Sequence, residues 1–183
     1  DFGKQGKPAT HPELLDWLAA KFRDGGWSVK SMHRIILLSR TWQLSTLRSA
    51  RAMEQDPANE LLSGFPRRRM DAETIRDSAL SISGLLVERK GGKSVKPYQP
   101  DGVWEAVAFV GSNTSAFKVD SGDALYRRSL YTFWKRTSPP PAMLTMDAPS
   151  RENCTVRRPR TNTPLQSLVL MNDVQYVEAA RRM

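Results

Sequence analysis

Three groups of arginine stand out among the residues able to do chemistry: Arg67, Arg68 and Arg69; Arg127 and Arg128; and Arg157, Arg158 and Arg160. A guanidinium is planar and presents five donors in a fixed fork, so arginine is preferred over lysine where carboxylate, sulfate or phosphate is gripped in two places at once. Aromatic side chains interleave with the middle group: Tyr126, Tyr131, Phe133 and Trp134. Cations beside aromatic faces bind sugars or nucleic acid through charge and stacking together. Two uses compete for these residues. They form an anion-binding face, with Tyr131 and Trp134 as stacking platforms, or they are internal salt bridges beside a solvated basic surface.

The other reactive side chains are sparse. His11 and His33 are the only histidines, and a metal site draws three or four ligands, so each reads as a hydrogen-bonding residue first. Cys154 is the single cysteine, set among Arg151, Arg157 and Arg158, which would favour its thiolate, but no histidine adjoins it in sequence. Glu73 and Asp77 are four apart and share a helix face, where neighbouring arginines would neutralise them. One cysteine cannot supply Cys-x-x-Cys-His, so the segment attaches no c-type haem of its own. No Gly-x-Gly phosphate loop and no familiar nucleic-acid module is present.

The chain has 183 residues, 39% hydrophobic, with 28 Lys and Arg against 19 Asp and Glu, a net +9. Length and composition fit one folded domain spanning 1–183, which we expect to be a piece of a longer chain. The charge favours acidic partners: nucleic acid, anionic polysaccharide, an anionic membrane face or an acidic neighbouring domain. No apolar run approaches the ~18 residues that a membrane-spanning helix requires.

Periodicity places these residues on a mainly α fold, a helical bundle-like domain with long irregular loops and a short strand or hairpin. Leu14, Leu15, Leu18 and Phe22 mark a helix that Thr10 and Glu13 would box and Gly25-Gly26 would end. Val29, Met32, Ile35, Ile36 and Trp42 mark a second after Ser28, so 10–46 reads as a helical pair. Residues 53–66 read as a linker. A helix over 71–88 starts at Asp71, with Ile75, Ala79, Ile82 and Leu86 inward. Residues 90–160 are irregular, with an apolar island at Val103–Val110, a short strand near 126–137 and an extended Pro139-Pro140-Pro141. The last helix, 163–182, opens on a Thr163–Gln166 capping box, with Asn172-Asp173 a candidate break.

Five motifs now stand in order: Thr-His-Pro-Glu-Leu-Leu-Asp-Trp-Leu at 10–18, Gly-Trp-Ser-Val-Lys-Ser-Met-His-Arg at 26–34, Arg-Arg-Arg-Met-Asp-Ala-Glu-Thr-Ile-Arg-Asp at 67–77, Tyr-Arg-Arg-Ser-Leu-Tyr at 126–131 and Thr-Asn-Thr-Pro-Leu-Gln-Ser-Leu at 161–168. Together they resemble an uncharacterised domain common in planctomycetes, found toward the C-terminus of large exported proteins that also carry cytochrome c-like modules. The resemblance implies an exported parent protein, with any haem borne elsewhere in it. It implies partners among the other domains of the same polypeptide. The leading expectation is a non-catalytic interaction or scaffold domain that contacts anionic polysaccharide through the arginines. One alternative is part of a polysaccharide-active or redox enzyme completed by another domain. Another is nucleic-acid binding, which an exported setting disfavours.

Overall fold

The computed structural model describes residues 5–109, 111–155 and 157–183; Val110, which ends the apolar island, lies outside them. The chain divides into two compact units, Asp1–Arg68 and Arg69–Met183. Among the described residues the regular structure is helical: α1 (Pro12–Asp24), α2 (Val29–Leu37), α3 (Ala50–Gln55), α4 (Ala72–Ile82), α5 (Pro141–Thr145), α6 (Pro164–Asn172) and α7 (Val174–Arg182). No helix is long and apolar enough to cross a membrane.

In the first unit α1 and α2 pack together. The expected Thr10–Glu13 box does not form. Pro12 disfavours helical backbone in the residue before it, so His11 becomes the N-cap and Thr10 falls one place outside, its hydroxyl 3.0 Å from His11 Nδ1. Gly26, at φ +70°, takes the left-handed turn that ends α1, and Trp27 packs edge-on against Phe22. Ser28 caps α2 by accepting from the Ser31 amide. That helix stops at Leu37, short of the end of the expected 10–46 pair, because the Ser39 hydroxyl donates to the Ile36 carbonyl at 2.7 Å and takes up a helical acceptor. The stretch 53–66 is not a loose linker. Asp56 accepts from the amides of Glu60 and Leu61, both at 2.8 Å, and Asn59 brackets Gly64 through both ends of its side-chain amide.

In the second unit α4 packs against α5 and α7, and α6 against both α5 and α7. The core joins Ala72 of α4 to Met143, Met146 and Ala148, with Ile75, Trp134 and Val169 against it. A second apolar centre is Trp104, 1% exposed, with Phe117 edge-on at 5.0 Å and Phe133 at 5.5 Å. Helix α4 ends at Ile82, not 88, because Gly84 turns left-handed at φ +72° and the Leu85 and Leu86 amides both return to the Leu80 carbonyl. The final helix is two, with Asp173 capping α7 through the Gln175 amide.

The expected strand or hairpin reduces to two isolated parallel bridges, Val87 with Arg127 and Val95 with Thr132. A short helical turn at Ser129–Tyr131 falls between the two partners on one side, so no continuous register runs from one bridge to the other. Of the three prolines expected to be extended, Pro141 instead opens α5, where the first helical position needs no amide donor. The Thr163–Gln166 box is complete, and Gln166, 4% exposed, also donates to the Thr145 carbonyl and the Thr161 hydroxyl, both at 2.9 Å. Thr163→Ala is expected to lower stability by about 1 kcal/mol in urea unfolding with an unchanged slope on denaturant.

Candidate functional site

The structure distributes the arginines unevenly. Arg67, Arg68 and Arg157 are exposed, with no ion pair among the described residues. Arg69 bridges Asp147, and its remaining donors reach the carbonyls of Met146 at 3.2 Å and Thr161 at 3.0 Å. Asp147 also accepts from the Thr161 amide at 2.7 Å and from its hydroxyl. One carboxylate therefore ties the segment before α4 to the end of α5 and the entry to α6. Burial alone would raise the Asp147 carboxyl, but the Thr161 donors and the Arg69 charge outweigh it and hold the group below its usual range.

Arg158 grips Glu73 at both carboxylate oxygens, at 2.6 and 3.2 Å. Here too burial pushes upward and is overcome, so the Glu73 carboxyl sits below its ordinary value. Arg160 lies 3.6 Å from Asp71, which stands at the N-cap of α4 without capping it. Arg128, half exposed, is 3.6 Å from Asp77, whose carboxylate accepts from both the Ser129 amide and hydroxyl. Glu73 and Asp77, the carboxylates four apart on α4, thus face arginines rather than each other.

Arg127 is 0% exposed. Its guanidinium donates to three backbone carbonyls, those of Arg89, Gly91 and Lys93, and lies 3.8 Å over the Tyr131 ring. The Tyr131 hydroxyl accepts from the Gly91 amide at 2.8 Å. Trp134 leans on the core, donates to the Ser150 carbonyl at 2.9 Å and carries Arg151 on its face at 4.4 Å. Within the second unit, the residues expected to bind an anion are thus divided between internal partners and exposed positions. Arg69, Arg127 and Arg158 are engaged by the protein itself, and Tyr131 and Trp134 stack on its own arginines.

Arg76, read from the sequence only as one of the arginines neutralising Glu73 and Asp77, stands outside every cluster. It is 2% exposed and donates to Gln175, to the carbonyls of Leu125 and Arg127 at 2.7 and 2.8 Å, and to the Ser129 hydroxyl. The signal available was its place on α4 beside Ala72, Ala79 and Leu80, in the helix face that turns inward. Arg76 borders a cavity with Tyr98, Gln99, Thr132, Met143 and Tyr176, of ≈ 20 Å³, room for about one water molecule and not for a substrate. His33 lies exposed on α2, and Cys154 is a free, exposed thiol. Among the described residues no three His, Cys, Asp or Glu side chains gather as a metal site.

Because the folded carboxyls of Asp147 and Glu73 are depressed, their contribution is full above the unfolded carboxylate range and is lost as pH falls through the folded values. Asp147→Asn is expected to cost about 2–3 kcal/mol at neutral pH. It should also flatten the acid limb of stability below about pH 5, measured by urea unfolding at a series of pH values.

No curated protein and no solved structure matches the chain. The family model described as PSD1, protein of unknown function (DUF1553), matches residues 1–183. The match spans every helix and every arginine described above, and the chain belongs to that family.

Proposed function

We propose that the chain is a non-catalytic interaction and scaffold domain of a multidomain, exported protein, held against other domains of its own polypeptide by apolar helical faces. Helix α6 carries the reading. Val169 packs on the core and Gln166 is buried, yet Leu165, Leu168 and Met171 are 58, 53 and 70% exposed. A helix that exposes so many apolar side chains belongs inside an assembly, since a surface helix would place mostly polar residues on its outer face. The first unit repeats the pattern by itself. None of its described apolar side chains is fully buried, while Leu15, Trp27 and Leu38 are each more than half exposed. A small unit that buries so little gains much of its stability from what covers it.

The exported, cytochrome-bearing setting draws on the sequence resemblance. Contact with an anionic polysaccharide is the second reading, supported by the exposed side chains of Arg67, Arg68 and Arg157.

Leu168→Cys in a Cys154→Ser background offers a direct test. The thiol at position 168 should react with a maleimide at least ten-fold more slowly in the complete natural polypeptide than in this 183-residue chain. Equal rates in the two would sink the scaffold reading.

A further inference from the structure

The loop Arg89-Lys90-Gly91-Gly92-Lys93 carries three basic residues in five, and the packing beneath it is unusual. All five residues are exposed. Their carbonyls are drawn inward: those of Arg89, Gly91 and Lys93 converge on the buried Arg127 guanidinium. The amides of Lys90, Gly92 and Lys93 have no hydrogen-bond partner among the described residues, and Tyr131 pins the Gly91 amide from below. Gly91 and Gly92 both sit at positive φ, +74° and +85°. A Cβ at Gly91 would touch nothing within 4 Å, so this glycine answers the backbone conformation and leaves a bare, open surface rather than filling a crowded one.

The charge below the loop is uncompensated. No carboxylate among the described residues lies within 4.0 Å of Arg127, and its buried Nε has no acceptor. A buried cation bonded only to neutral carbonyls is costly, and a counter-charge nearby relieves that cost. Three exposed cations above it, relieved in sequence only by Glu88, add to the same positive field. Unpaired amides in a tight turn, cationic side chains around them and a buried cation behind make a cradle for an anion.

We propose that the Arg89–Lys93 loop is a binding site for a doubly charged tetrahedral oxyanion, a sulfate or phosphate group. The group sits over Gly91 and Gly92. It accepts from the backbone amides and the side chains of Arg89, Lys90 and Lys93, and Arg127 fixes the loop in the shape that presents them. The site stands apart from the apolar faces and does not depend on the scaffold reading.

The test is a titration of the ¹⁵N-labelled chain with sodium sulfate and, separately, sodium phosphate, at constant ionic strength maintained with chloride. The Gly91 and Gly92 amide resonances should shift and saturate. The triple variant Arg89→Ser, Lys90→Ser, Lys93→Ser, all at exposed positions, should weaken binding at least ten-fold. A charge-matched variant in the first unit, Arg23→Ser, Lys30→Ser, Arg34→Ser, should leave it unchanged. The anion that binds more tightly identifies the source of the group. Absence of a saturating shift, a triple variant that titrates like the parent, or an equal loss in the charge-matched variant would each overturn the proposal.

Discussion

The second unit depends on the burial of two guanidiniums, Arg76 and Arg127. Between α4 and α5 the chain runs for almost sixty residues with no α-helix or sheet among the described residues. Backbone polar groups in such a stretch need partners when they leave water. Here side chains supply them. Arg76 holds the carbonyls of Leu125 and Arg127, and the Arg127 side chain in turn holds those of Arg89, Gly91 and Lys93. The contacts run in series from α4 through residues 125–129 to the loop at 89–93. A lysine could not stand in at either place, since an ammonium is a point charge with three donors and lacks the planar reach of the fork.

The carboxylates work as knots rather than as acids and bases. Asp147 joins Arg69, Thr161 and, at 3.4 Å, Gln166, so one side chain closes three segments distant in sequence. Glu73 does the same with Arg158 across 85 residues of chain. In each case burial opposes the charge and the donors prevail. A charged group is stable in such a place only when nearly every lone pair is met, which is the arrangement around Asp147.

Local chemistry was legible in the sequence and long-range pairing was not. Ser28, Thr163 and Asp173 cap helices where their residue types and spacing pointed, because capping is settled within three residues. Thr10 failed through a neighbour, as Pro12 moved the helix start. Gly84 and Ser39 ended α4 and α2 early, each through one residue that periodicity treats as neutral. The arginine clusters were visible as clusters, but their direction was not. Whether Arg69 faces water or Asp147 depends on a residue 78 positions away, which no spacing rule reaches. Arg76 had no cluster to announce it, yet it has the most central place. Isolated charge within an apolar helix face was the better signal, and density of charge the poorer one.

The way Arg127 gathers its loop has a consequence for how order in this region is perceived. A sheet satisfies donor and acceptor of each residue together, so protection of the amide hydrogens reports the rigidity of the whole strand. Here the acceptors are bound and most donors are free. Residues 89–93 are fixed by their carbonyls, and among the described residues only the Gly91 amide shares in the fixing. Solvent exchange at the other amides would be fast although the loop is well held, and a probe that counts donors alone would register this ordered segment as slack.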